Sequence, residues 1–195
     1  MKSNKIELQL PTLQHKTSAE SFKNDFFENQ EYYIPGSVLL DRMEYEPWLV
    51  LNTNNRRKDT VQSGYVQSTT FFAVRKSDDK IIGIIDIRHS LESSALMQYC
   101  GHLGVSIRPS ERKGLYFKEM MTKTLDFVKS LNIEKILIGC TSDNIKSNKM
   151  IQKCGGILLE TKSCTDVCGH MPHTIGKLAY IYSFDLYNSN NLIKS

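Results

Sequence analysis

The sequence holds no apolar run approaching the ~18 residues needed to cross a bilayer, so no membrane-spanning segment is expected. Its first residues, Met1-Lys2-Ser3-Asn4-Lys5-Ile6-Glu7, carry no apolar stretch of the kind a secretory leader requires. Cysteine is sparse and odd in number, five in 195 residues. That argues against a disulfide framework and for reduced thiols in a cytoplasm. Charge of one sign is also scarce. A formal net charge of +4 is too small to indicate nucleic acid, yet it suits an anionic ligand. Internal repeats and low-complexity tracts are absent. What is left is an ordinary globular composition, 40% hydrophobic, in a chain long enough for one domain with a real core.

Ile6, Leu8, Leu10 and Leu13 alternate with polar neighbours and suggest a first strand within residues 1–15. Ser18 reads as the N-cap of a helix reaching about Asn29, with Phe22, Phe26 and Phe27 at helical spacing. A second helix is expected from Glu44 to Thr60 around Trp48. Thr69–Arg75 and Ile81–Ile87, joined by Ser77-Asp78-Asp79-Lys80, carry a hairpin signature. His102–Ile107 is another strand, and Glu111–Asn132 a helix with one apolar stripe. Lys135–Cys140 reads as a strand covered on both faces. Asn144 then caps a short helix ending at Gly155-Gly156, before strands at Ile157–Thr161 and Leu178–Leu186 and a polar tail.

The stretch from Gly101 to Gly114 is chemically the most informative. An apolar strand ends at Pro109, and a short basic loop then opens a long helix. Free N–H groups and the positive end of the macrodipole make that joint an anion site. Arg112 and Lys113 add charge where a phosphate group would sit. The spacing alone does not name the ligand.

The order strand, basic loop, long helix, buried strand, Asn-capped helix, Gly-Gly, strand resembles the GNAT superfamily of N-acetyltransferases. The likeness spans 64–160 and is closest to a group of bacterial acetyltransferases. It is carried by Gly64-Tyr65-Val66, Ser68-Thr69-Thr70-Phe71-Phe72, Gly83-Ile84-Ile85-Asp86-Ile87-Arg88-His89, Gly101-His102-Leu103-Gly104, Ile107-Arg108-Pro109-Ser110-Glu111-Arg112, Asp143-Asn144 and Gly155-Gly156. The resemblance implies an α/β (α+β) fold, a GNAT-like mixed but mostly antiparallel twisted sheet with a splayed central strand pair and flanking helices. Residues 1–195 would form one domain, with an acceptor-side helical region over 1–63, an acetyl-CoA-binding core over 64–160, and C-terminal strands and tail over 161–195.

The implied activity is transfer of an acetyl group from acetyl-CoA to an amine of a small molecule or peptide, by a monomer or homodimer. Backbone groups of Val105, Ser106 and Ile107 would meet the pantetheine arm. Arg112, Lys113, Gly114, Leu115, Tyr116 and Phe117 would surround the pyrophosphate, and Asn144 and Ser147 would flank the pantetheine near its thiol. Leu115 and Phe117 stand where the family has glycine and a small residue. Ile151 stands where it often has a tyrosine that protonates the departing thiolate. These departures define the alternative, a binding or regulatory module that has lost catalysis.

An amine attacking a thioester needs a base, and His89, at the end of its strand, is the candidate chosen here. Asp86 and Glu92 are further candidates. His102, at the opening of its strand, reads as structural. Cys164, Cys168, His170 and His173 are metal-ligand types, but Cys-x3-Cys and His-x2-His are not common zinc spacings, and no metal is expected. Phe22, Phe26, Phe27, Tyr32 and Tyr33 read first as core, with an acceptor wall as their second possible role.

Overall fold

The computed structural model describes residues 5–91, 99–112, 116–164 and 176–186. In chain order its elements are β1 (Ile6–Gln9), α1 (Lys16–Glu28), α2 (Tyr45–Asn55), β2 (Ser68–Arg75), β3 (Ile81–Arg88), β4 (Leu103–Ile107), α3 (Tyr116–Lys129), β5 (Lys135–Thr141), α4 (Ile145–Lys153), β6 (Ile157–Ser163) and β7 (Leu178–Asp185). The β-branched runs of β2 and β3 form the expected hairpin. Asp79 takes a positive φ at its turn, which short polar side chains tolerate. The strands build two sheets, ordered β1-β2-β3-β4 and β5-β7-β6. Every ladder within them is antiparallel.

Alternation along β3 decides what each face of the first sheet does. Ile84 joins Phe22 and Phe26 of α1 and Tyr45 and Trp48 of α2 in one core. Ile85 and Ile87 point the other way, into a core shared with Met121, Leu125 and Val128 of α3 and with Ile136, Ile138 and Phe184 of the second sheet. The period of two therefore places Asp86 and Arg88 on the α1–α2 face.

Several boundaries differ from expectation for local reasons. Helix α1 starts at Lys16, because a 3-10 turn at Leu13–His15 precedes it and Thr12 and His15 bond each other across it. Ser18 is thus not a cap; its hydroxyl accepts from the Ile81 N–H at 3.4 Å. Helix α2 stops at Asn55, where the Arg57 N–H and Thr60 hydroxyl both take the Asn54 carbonyl. Pro109–Glu111 forms a separate 3-10 turn, and α3 begins at Tyr116 rather than Glu111. Strand β5 is buried only at alternate positions, Ile136 and Ile138. It lies at the edge of its sheet, against the cleft described below, and is not covered on both faces.

The two sheets meet at His102. Its N–H donates to the Leu137 carbonyl at 2.8 Å, and its Nδ1 accepts the Leu137 N–H at 3.1 Å. An accepting Nδ1 leaves the ring proton on Nε2. Burial, followed by the nearby charge of Arg88, pushes this imidazole down to about 4. The unfolded chain then binds a proton that the folded one refuses, so stability falls as pH drops from 6.5 towards 4. The expected loss is about 3 kcal/mol over that window, read as a drop in urea midpoint. His102→Asn, which keeps an acceptor near the Nδ1 position, should flatten the profile. An unchanged profile in that variant would place the titration elsewhere.

Candidate active site

Strand β4 pairs with β3 along one edge only, and β5 with β7 along one edge only. Among the described residues their facing edges share a single bridge, Gly101 to Ile138. Past that bridge the strands part, and unpaired backbone donors and acceptors face one another across a gap. An amide-bearing chain laid in such a gap gains main-chain hydrogen bonds as an added strand would. The gap holds a cavity of about 200 Å³. Its walls include Val105 of β4, Ile138, Gly139 and Cys140 of β5, Phe117 of α3, and Asn144, Ser147 and Ile151 at and along α4.

Helix α4 starts where it does because the Asn144 side chain accepts the Ser147 N–H at 3.2 Å. Asn148, one turn on, is tied to the Thr141 and Asn144 carbonyls and takes the Tyr182 hydroxyl at 3.0 Å. The start of α4 is therefore rigidly joined to the end of β5, beside the cavity.

A second cavity of about 620 Å³ lies on the α1–α2 side. It is lined by the carboxylates of Asp41 and Asp86, by Arg42, Asn55, Tyr65 and Ser68, and by the backbone turn at Ser37–Leu39. Val38 and Leu39 both sit at positive φ, an uncommon conformation for such side chains. Asp86 is buried, lies 3.0 Å from the Thr70 hydroxyl, whose one proton it shares with the Asn52 oxygen at 2.6 Å, and lies 3.9 Å from Arg88. Tyr33, Gly36, Arg88 and Cys100 line both cavities, so the two open onto one junction. Burial pushes the Tyr33 phenol up to about 12. It pushes the Cys140 thiol up to about 11, which removes it as a nucleophile at neutral pH.

The chain matches the acetyltransferase (GNAT) domain model over residues 8–157. The chain belongs to the GNAT acetyltransferase family. It is an N-acetyltransferase, and acetyl-CoA is its family's co-substrate. No curated protein matches it. Solved structures share its fold: the microcin C7 self-immunity acetyltransferase MccE, described in complex with acetyl-CoA and AMP, has a TM-score of 0.68 at 15% identity, covering 94% of this chain and 93% of the other. A spermidine N-acetyltransferase from Vibrio cholerae, described as dodecameric, has a TM-score of 0.65 at 11% identity, covering 97% and 98%. A proposed ribosomal-protein-serine acetyltransferase from the same organism has 0.64 at 15%, covering 94% and 95%.

In this acetyltransferase, four of the residues expected at the cofactor line the cleft: Val105, Phe117, Asn144 and Ser147. The Ser106 side chain donates to the Pro35 carbonyl at 2.7 Å, and the Ile107 side chain packs in a small cluster with Met120. Arg112 makes a bidentate pair with Glu31, at 2.5 and 2.6 Å, and lies over the Phe26 ring. The Tyr116 hydroxyl accepts from Arg75 at 3.1 Å, away from the cleft. Lys113, Gly114 and Leu115 lie outside the described residues.

His89 lines neither cavity. The alternation that turns Asp86 toward the second cavity turns His89 the opposite way, and its ring sits 2.9 Å from the Thr69 hydroxyl. Glu92 lies outside the described residues. Cys164 is buried in a small cluster with Ala179 and Ile181; Cys168, His170 and His173 lie outside the described residues. Among the described residues no three metal-ligand side chains converge, and no helix is long and apolar enough to cross a membrane.

Gly36, Arg88 and Gly139 carried no assignment in the sequence. Only Gly139 had a readable signal, since a glycine inside a strand often marks close backbone approach.

Proposed function

We propose that this protein acetylates an amine of a small molecule or peptide, with acetyl-CoA in the β4–β5 gap and the acceptor in the second cavity. The observation that carries this reading is the junction: a strand-edge cleft and an acid-lined cavity share Tyr33, Gly36, Arg88 and Cys100. The open edges of β4 and β5 suit the amides of a pantetheine arm. Acetyl-CoA supplies the thioester; everything else falls to the chain's own residues.

Asp86 draws the acceptor's ammonium into the cavity and takes its proton, so that the amine nitrogen can attack. Its placement favours it over His89 for that role. A backbone N–H of β4 polarises the carbonyl under attack. As the carbon–sulfur bond breaks, Tyr33 hands its phenolic proton to the leaving sulfur, and the second proton of the attacking nitrogen, lost as the amide forms, returns to the phenolate. It fills the role for which Ile151 is chemically unsuited. A phenol held near 12 stays protonated at neutral pH, as an acid must.

Titration calorimetry with acetyl-CoA, followed by a turnover assay over amine acceptors, tests the reading. Micromolar binding with turnover is expected. Binding without turnover of any amine would favour the degenerate module suggested by Ile151 and by the engagement of Arg112 with Glu31.

Asn144→Ala supplies a second check on the cleft. Losing the cap should cost about 1 kcal/mol of stability. Losing the polar wall should weaken acetyl-CoA binding roughly fivefold. A folded variant with wild-type affinity would remove Asn144 from the cofactor site.

A further inference from the structure

The arginine nearest the mouth of the β4–β5 gap already holds an anion, and that anion belongs to the chain itself. Arg112 is oriented by backbone: its Nε donates to the Ile107 carbonyl at 3.2 Å, at the end of β4. Its guanidinium lies over the Phe26 ring. Both terminal nitrogens then donate to one carboxylate, that of Glu31, at 2.5 and 2.6 Å. A planar fork of this kind fits a carboxylate and a phosphate equally well.

Glu31 is held in place for this contact. Its N–H donates to the Phe26 carbonyl at 2.9 Å just past the end of α1. Gln30 takes a positive φ to turn the chain there, and the Asn29 amide donates to the same carboxylate at 2.5 Å. The bond from Arg112 holds the Glu31 carboxyl below its usual range, and the charge of Lys146 adds to the effect. Lys146 is exposed in the first turn of α4, between Asn144 and Ser147 of the cleft wall. Glu31 thus feels a cation from each bank, Arg112 beside β4 and Lys146 on α4. A ligand arm laid along β4 from the junction at Gly36 and Gly104 runs towards Ile107. Arg112 stands at that end, where the arm's anionic head would arrive.

We infer that Glu31 is an autoinhibitory carboxylate, an internal competitor that must yield Arg112 to the diphosphate of acetyl-CoA. The inference rests on the placement of acetyl-CoA in the β4–β5 gap proposed above.

The pair is built to exchange. Arg112 and Glu31 are 41% and 34% exposed, and an ion pair within reach of water is weak. A diphosphate brings more than one negative charge to the same two cations, where the carboxylate brings one. A monoanion has no such advantage over Glu31. The contact therefore screens ligands by charge, admitting the diphosphate and holding off smaller anions.

Titration calorimetry with CoA tests this on the wild-type protein, Glu31→Gln, Arg112→Gln and the double variant. Glu31→Gln keeps the side chain's shape and removes the competing charge, so CoA should bind about fivefold tighter. Arg112→Gln should bind it about fivefold more weakly. In that background Glu31→Gln should change affinity by less than about twofold, because each charge acts through the other. A pair that only braces the fold would lose melting temperature on either substitution with no gain in affinity.

Equal or weaker CoA binding by Glu31→Gln overturns the inference. So does an equal tightening with and without Arg112, which would be a diffuse charge effect. If Arg112→Gln does not fold, Arg112→Met, which keeps the stem over Phe26, enters the same cycle. If the wild-type protein binds no CoA, Glu31→Gln should bind it, and a variant that also fails ends the inference. Turnover is not read, so CoA binding with no amine acetylated sinks the acetyl-transfer reading and leaves this result standing. Turnover without any gain in Glu31→Gln sinks the inference alone.

Discussion

Tyr33→Phe should lower kcat about 100-fold while leaving acetyl-CoA affinity within twofold. A positioned general acid contributes about 10²–10⁴ to rate, and this substitution removes the acid while keeping the ring. The ring's place is set by backbone around it. Ile34 is buried, the Ser106 hydroxyl holds the Pro35 carbonyl at 2.7 Å, and the Trp48 indole holds the Ser37 carbonyl at 2.7 Å. Gly36 lies directly over Gly104, where a Cβ would sit 2.1 Å from the Gly104 carbonyl oxygen. The loop is therefore anchored whether or not residue 33 carries a hydroxyl, and the variant should fold. A kcat within twofold of wild type would show that the thiolate leaves unassisted, or that another group protonates it.

What the sequence disclosed follows from how local each signal was. Asn144 and Ser147 were readable because a cap and the residue it bonds are three positions apart, and the cap itself builds the wall of the cleft. Val105 was readable because a strand running into a basic loop is a local pattern. Arg112 reads as a phosphate ligand, and the carboxylate it pairs with comes from Glu31, 81 residues earlier, a pair that no local pattern announces. Asp86 lies in β3 and His89 just past its end, three residues on, so only one of them faces the acceptor cavity. Which one depends on the side α1 and α2 pack.

The acceptor wall was the least legible part. The family match begins at residue 8, far ahead of residue 64, where the motif likeness starts. Between those points the informative residues are Tyr33, Gly36, Asp41 and Asn55. Tyr33 reads there as core or acceptor wall; Gly36, Asp41 and Asn55 acquire meaning only from the second cavity, which they line with Asp86 and Arg88 of β3. Asn55 lies inside the helix expected from Glu44 to Thr60, and in the structure it is the last residue of α2.

Gly139→Ala should be the most disruptive single methyl in the cleft. Glycine inside β5 is not there for an unusual φ; it is there because another backbone lies against it. A Cβ at that position would stand 1.8 Å from the Tyr99 carbonyl oxygen and 3.2 Å from the Cys100 Cα. Backbone atoms cannot swing aside as a side-chain tip does, so the segment at 99–102 must move off β5. That movement breaks the stitch at His102, which bonds Leu137 through both its N–H and its ring, and it shifts Cys100, which lines both cavities. Overpacking of a tight contact costs about 1–3 kcal/mol, and losing the paired backbone groups at His102 adds to it. At about 2–4 °C per kcal/mol for a chain of this size, the melting temperature should fall by roughly 6–12 °C. Acetyl-CoA binding should weaken as well, since the point from which β4 and β5 diverge would have moved. A melting temperature within 2 °C of wild type would mean that the segment at 99–102 is not held against β5 in solution. The cleft would then be wider, and its junction with the acceptor cavity looser, than the geometry here requires.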